Sequence, residues 1–168
     1  MQRKTFTSMN CSIAQALEEV GEWWSLLIVR ECTEGVTRFD EFHQELGIAR
    51  NTLTTRLERL TNLGILEKYP LEDRANTDGY RLTEKGEALY PVLVALMQWG
   101  DRWSVSSRKL RTKLVEDATG RPIEDITVRS KGGRPLSFRD VRVVPGPEGT
   151  ATTHAAIARR NGRVLGRV

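Results

Sequence analysis

The sequence predicts a mainly α-helical chain carrying a small β-hairpin, with a small β-rich appendage at its C-terminal end. Three observations carry this expectation. Apolar residues recur at helical spacing through most of residues 12–103. Two short extended runs flank a polar, turn-prone stretch around residue 74. Beyond residue 107 the helical period gives way to Gly, Arg and Pro with short β-branched runs.

The 168 residues hold 39% apolar and 29% charged side chains, an ordinary composition for a chain long enough to bury its own core. No apolar run approaches the roughly 18 residues of a membrane span. The start, MQRKTFTSMNCS, shows neither the apolar core nor the small-residue cleavage site of a secretory signal, so a cytoplasmic location and no membrane partner are expected. Two cysteines build no disulfide framework. His43 and His154 lie too far apart in sequence to complete a usual zinc site with them, so no metal or other cofactor is expected. There is no Gly-rich phosphate loop and no histidine placed near a nucleophile in sequence; Cys11 as a catalytic thiol would need His43 as base, so no enzymatic activity is expected. The net charge of +4 hides an asymmetry: residues 1–107 carry −4 and residues 108–168 carry +8. A basic tail suits polyanions, although a solvated appendage has the same composition. The expected organisation is a first domain over residues 1–106, the β-rich appendage over 107–146 and a basic, flexible tail over 147–168.

Ser12 followed three residues later by Gln15 reads as a capping box. It opens a first helix with Ile13, Ala14, Leu17 and Val20 on one side and Gly21 as its stop. Trp24, Leu27, Ile28 and Glu31–Cys32 continue a second helix closed by Gly35. Thr37-Arg38-Phe39 reads as a short strand, Asp40 to Leu46 as a third helix ended by Gly47, with a tight turn through Ile48. A fourth helix runs from about Arg50 to Leu63. Leu53, Leu57, Leu60 and Leu63 form its narrow apolar stripe; Asn51, Thr55, Glu58, Arg59 and Asn62 project to the far side, flanked by Thr52 and Arg56. After Gly64, the runs Ile65–Tyr69 and Gly79–Thr83 bracket a long polar tip and make a hairpin. Thr83-Glu84 opens a long helix, kinked at Pro91, whose Leu89, Val92, Leu93, Leu96, Trp99, Gly100 and Trp103 line one face. Ile126–Val128 and Val141–Val144 read as strands, and residues 145–168, short of large apolar side chains, as loosely ordered.

Two helices, a helix–turn–helix unit and a hairpin make a winged helix-turn-helix. Its fourth helix is the one that fits a DNA major groove. The outer face of that helix offers hydroxyls, amides and guanidiniums, groups that suit phosphate oxygens and base edges. Arg74, near the hairpin tip, would reach phosphates or the minor groove. Simple solvation produces polar faces too, and a winged helix that docks on protein is a further reading. The face's single acid, Glu58, favours DNA, and a salt series separates the two, because counterion release makes DNA binding fall steeply with added ions.

Several motifs then fall in a specific order. They are Cys11-Ser12-Ile13, Gly21-Glu22-Trp23-Trp24, Arg38-Phe39-Asp40-Glu41-Phe42, the leucine-spaced run from Ile48 to Gly64, Tyr80-Arg81-Leu82-Thr83 with Gly86 and Leu89, Pro91-Val92-Leu93, and Trp99-Gly100-Asp101-Arg102-Trp103. Together, over about residues 9–104, they resemble the HxlR-type winged helix-turn-helix transcriptional regulators. Two positions depart from that pattern. Ala49 stands where the family often has a capping Ser, a loss of about 1 kcal/mol unless Asn51 or a bound phosphate satisfies the free N–H groups. Trp23 stands where the family often has Lys.

The resemblance implies a dimeric regulator of transcription whose partners are double-stranded DNA and a second copy of itself. Dimerisation through the first and last long helices points to Ile13, Leu17, Leu89, Leu93, Leu96, Trp99 and Trp103, a face that packing within one chain would equally bury. Two recognition helices about 34 Å apart would read an inverted repeat. The DNA-binding candidates are Arg50, Asn51, Thr52, Thr55, Arg56, Arg59, Arg74 and Arg81. Some members of the family sense oxidants or electrophiles through the cysteine that matches Cys11. Here it sits beside the partly positive start of a helix with Arg3 and Lys4 nearby, conditions that favour a thiolate. Oxidation would give a sulfenic acid, a mixed disulfide or a bridge to a partner chain; a small half-buried apolar residue is the plainer reading. Cys32 reads as core. An alternative signal is a small-molecule effector in an aromatic pocket formed by Phe6, Trp23, Trp24, Trp99 and Trp103, although aromatics at this spacing also make ordinary core. Some longer relatives carry a small zinc-ribbon-like appendage. Thr119-Gly120 and residues 129–133 match its knuckles in outline without Cys or His, which implies a metal-free unit packed on the dimer, or a basic arm in which Arg159, Arg160, Arg163 and Arg167 touch DNA.

Overall fold

The computed structural model describes residues 5–7, 9–72, 77–104 and 112–165, with residues 163–165 as backbone only. Helices α1 (Ser12–Val20), α2 (Trp23–Thr33), α3 (Phe39–Leu46) and α4 (Arg50–Asn62) come first. Strands β1 (Leu66–Pro70) and β2 (Asp78–Leu82) follow, then the single turn α5 (Glu84–Glu87), α6 (Tyr90–Trp103) and α7 (Ala151–Leu165). The strands pair antiparallel, Leu66 opposite Leu82 and Pro70 opposite Asp78. The chain divides into two compact units, residues 1–124 and 125–168. Among the described residues no helix is long and apolar enough to cross a membrane.

The leucine stripe builds the core of the first unit. Leu53, Leu57 and Leu60 are 0% exposed and pack in one cluster with Ile28 and Val29 of α2, Phe42 of α3, and Ile48, Ile65 and Leu66. Burying each such side chain is worth roughly 1.5–3 kcal/mol. The turn between α3 and α4 is closed by three local devices. Gly47 takes φ +61, a left-handed conformation open to glycine at little cost. Its N–H donates to the His43 carbonyl at 3.1 Å. The His43 Nδ1 lies 2.7 Å from the Ile48 carbonyl, and because a carbonyl only accepts, Nδ1 carries the proton. His43 is therefore a half-buried staple across the turn.

The hairpin is docked on this unit by backbone and ring contacts. The Tyr80 N–H donates to the Thr37 carbonyl at 2.8 Å, and the Tyr80 ring meets Phe42 edge-on at 6.4 Å. The Thr83 hydroxyl donates to the Gly64 carbonyl at 2.6 Å and closes the hairpin base. Gly21 ends α1 as expected, but with φ −72, so its freedom is not what matters there. Its N–H donates to the Leu17 carbonyl at 2.9 Å, and a Cβ at this position would run into that same oxygen.

Five local expectations are corrected. Cys11, not Ser12, is the N-cap of α1, and no side chain caps the helix. Residues 37–39 form no strand: Phe39 already opens α3, with Glu41 reaching back to the Arg38 and Thr37 N–H groups at 3.0 and 3.2 Å. The long last helix is broken rather than kinked. Thr83 caps only α5, and Pro91 stands in the first turn of α6, where its missing N–H costs nothing. The runs 126–128 and 141–144 pair with no strand. The β-bridges outside the hairpin are Val115 with Pro122 and Arg129 with Pro135, and β-branched residues without a partner strand stay exposed. Finally, residues 151–165, expected to be loose, form α7. The Thr150 hydroxyl accepts from the Thr153 N–H at 3.2 Å, and four alanines supply helix propensity that a search for large apolar residues overlooks.

Replacing Leu57 by Ala is expected to lower the unfolding free energy by about 2–5 kcal/mol, measured as a fall in the urea midpoint with an unchanged slope.

Candidate nucleic-acid interface

The apolar stripe fixes which side of α4 is left open. Arg50, Asn51, Thr54, Thr55, Glu58 and Asn62 are exposed, while Thr52, Arg56 and Arg59 are half-buried. The Thr54 and Thr55 hydroxyls donate to the carbonyls of Arg50 and Asn51 at 3.0 and 2.9 Å, which fixes their rotamers and leaves the oxygen lone pairs and methyls outward. At the helix start Ala49 offers no side-chain acceptor, so the first-turn N–H groups lack a cap. Arg50 lies over the Phe39 ring at 5.5 Å and donates to Asp40 at 2.8 Å. That pair is exposed and of the kind worth at most about 1 kcal/mol, so a phosphate oxygen can compete for the guanidinium.

Arg56 and Arg59 are placed differently from what helical projection suggests. The Arg56 guanidinium pairs with Glu22 at 3.0 Å, just before α2. The Arg59 guanidinium donates to the Glu18 carbonyl in the last turn of α1 at 2.5 Å. Both Nε atoms are buried without a hydrogen-bond partner. Projection gives the direction of Cβ, but a long side chain lays its stem along the apolar flank and delivers its charge elsewhere. Glu22 and the Glu18 carbonyl are the residues that sequence reasoning missed. Nothing local signals them, because the Arg59 bond spans 41 positions. On the wing, Arg81 donates to Glu67 at 2.6 Å and lies over Tyr69 at 5.3 Å. Arg74 lies outside the described residues.

The second expected interface is also partly on view. Ile13 is 73%, Trp99 61% and Trp103 68% exposed, and Leu17 and Leu96 are exposed as well. Leu89 and Leu93 lean on the core behind them. Packing among the described residues therefore does not account for this face.

Residues 19–108 match the family model for HxlR-like helix-turn-helix proteins. This chain belongs to the HxlR-like family. It is similar to the HTH-type transcriptional regulator MT3179 of Mycobacterium tuberculosis, 38% identical over 136 residues that cover 81% of this chain and 86% of the relative. The crystal structure of PA1607, assigned as a transcription factor, superposes with a TM-score of 0.79 at 39% identity, covering 85% of this chain and all of the other. That of PA1374 from Pseudomonas aeruginosa, assigned likewise, gives 0.60 at 38% identity, covering 87% and 99%. The protein is a transcriptional regulator of the helix-turn-helix type.

In this HxlR-like regulator the two cysteines differ sharply. Cys11 is half-buried at the N-cap of α1, and its sulfur accepts no capping bond. The Cys32 thiol is pushed up to about 12, chiefly by burial and further by the neighbouring Glu31 carboxylate, so it stays protonated through the physiological range. A cavity of about 620 Å³ opens between α2 and α6, walled by Leu26, Leu27, Leu93, Leu96 and Met97, with Tyr90 and Arg30 also lining it. Phe6, Trp23, Trp24, Trp99 and Trp103 do not line it, so the expected aromatic walls give way to aliphatic ones.

Replacing Ala49 by Ser is expected to raise stability by about 0.5–2 kcal/mol. Its ψ of 136° already suits a capping residue, and urea unfolding of the two proteins checks the gain.

Proposed function

We propose that this HxlR-like regulator acts in the cytoplasm as a homodimer that reads an inverted repeat in double-stranded DNA. One observation carries the reading: α4 buries Leu53, Leu57 and Leu60 completely, while Arg50, Asn51 and Thr55 on its other side stay open to a groove. Asn51 and Thr55 are assigned to base edges, and Arg50 and Thr52, beside uncapped N–H groups, to phosphates. Arg81, on β2, is assigned to the wing contact, for which the sequence also offers Arg74. Arg56 and Arg59 hold the angle of α4 in the free protein and reach DNA only on release from Glu22 and the Glu18 carbonyl. The exposed Ile13, Leu17, Leu96, Trp99 and Trp103, backed by Leu89 and Leu93, supply the apolar anchors of the dimer.

Two signals suit the molecule. Cys11, partly accessible at a helix start, is the thiol a peroxide would convert to a sulfenic acid with release of water; condensation with a second thiol, of a small molecule or of a second copy, then gives a disulfide and another water, whereas Cys32 stays protonated. A small apolar effector is the second reading, favoured by the cavity between α2 and α6, whose volume lies in the range of ligand sites.

Selection from random duplexes, followed by footprinting, is expected to yield two half-sites centred about 34 Å apart. Asn51→Ala should weaken binding to the selected site by about 1–3 kcal/mol, roughly 5–150-fold, and relax preference at one base pair per half-site. An undiminished, equally selective Asn51→Ala protein removes the assignment of α4. Peroxide treatment is expected to change the affinity of the wild type and not that of Cys11→Ser; identical responses leave the effector cavity as the signal.

A further inference from the structure

The second unit is small and strongly cationic. Residues 125–168 contain nine basic and three acidic side chains, a net of +6, against −2 for residues 1–124. Its basic residues are not evenly spread. A cleft of about 460 Å³ is walled by residues 138–143 on one side and by Arg160 and Asn161 of α7 on the other. Asn161 donates to the Val143 carbonyl at 3.0 Å and pins the two walls together, and Ile157 of α7 is buried. Arg139, Arg142 and Arg160 all line this cleft and are all exposed.

The guanidiniums are also available. Among the described residues, Arg142 and Arg160 make no ion pair, and Arg139 lies over the exposed Phe138 ring at 4.8 Å, which orients it without neutralising it. The acid of the cleft, Asp140, is engaged elsewhere. It accepts from the Ser137 N–H at 2.8 Å and the Ser137 hydroxyl at 2.7 Å, and it lies 3.9 Å from Arg134. Three cations held in one concavity, with their only acid occupied, form a site for closely spaced anionic oxygens, and successive phosphates of a duplex present these.

We propose that this cleft is a second DNA contact, one that grips the phosphate backbone without reading sequence while α4 reads the bases. The inference rests on the reading of the protein as a DNA-binding regulator. It assigns the C-terminal unit a role in affinity, tethered by chain continuity to the reader. Counterion release makes this measurable, since each phosphate contact contributes about 0.9 to the slope of log affinity against log salt.

The test uses the full chain and a mixed-sequence duplex of roughly 40 base pairs, with fluorescence anisotropy between about 50 and 200 mM KCl. The triple variant Arg139→Gln, Arg142→Gln, Arg160→Gln is expected to lose about 2–3 units of that slope per protomer. A charge-matched variant outside the cleft, Lys113→Gln, Arg121→Gln, Lys131→Gln, all exposed, is expected to keep it. Retained helicity by circular dichroism verifies that both variants fold. Equal loss from the two triples, or an unchanged slope in the first, overturns the proposal, as does tighter binding of a single strand of the same length than of the duplex. Asn51→Ala on its selected site is followed in parallel. If it loses selectivity while the cleft triple keeps its slope, only this inference falls; if the wild type binds no duplex, the functional reading falls with it.

Discussion

Burial of three leucines on one side of α4 is the constraint on which the rest of the first unit depends. Leu53, Leu57 and Leu60 are fully enclosed by α2, α3 and the start of the hairpin, so the helix cannot rotate about its axis without exposing several apolar side chains to water. That single restriction decides which residues face outward. It also decides where the turn before the helix must lie, and the Gly47 conformation and the His43–Ile48 bond hold it there. The fixed orientation of the open polar face thus comes from the opposite side of the same helix.

The two arginines turned inward refine this picture. Arg56 and Arg59 join α4 to the corner between α1 and α2, through Glu22 and the Glu18 carbonyl. Glu19 joins the same corner to Lys85 of α5 at 2.6 Å. Helix α1, which follows Cys11 and carries part of the exposed apolar face, thus shares polar bonds with α4 and with α5, the element that follows the hairpin. The exposed apolar side chains of α1 and the open polar face of α4 therefore sit on one bonded framework.

Much of this architecture was legible in the sequence, for identifiable reasons. The leucine spacing located α4 to within a residue, because period and burial are the same fact seen twice. Gly21, Gly35, Gly47 and Gly64 stood at element ends, and the hairpin strands were displaced by one residue. Where the reading failed, the deciding physics was non-local or fell below the resolution of a pattern. The destinations of Arg56 and Arg59 depend on a carbonyl and a carboxylate brought close only by folding. Pro91 kinked no helix, because α5 had already stopped at Ala88 and the proline falls in the first turn of α6. The valines of residues 141–144 have strand propensity but no partner strand. The alanines of α7 were discounted because they are small, although small size is what makes them good helix formers. The exposed tryptophans of α6 were recognised as a face, but whether the chain itself would cover them had to be seen.

The glycine at the end of α1 has a consequence beyond its own corner. Any side chain at position 21 collides with the Leu17 carbonyl, so the backbone there could admit a larger residue only by tilting the final turn of the first helix. That turn holds the oxygen gripped by Arg59. A hydrogen atom in place of a methyl group therefore keeps in place the turn that an arginine from a distant part of the chain grips, and the molecule transmits leverage through a point where it carries the least matter.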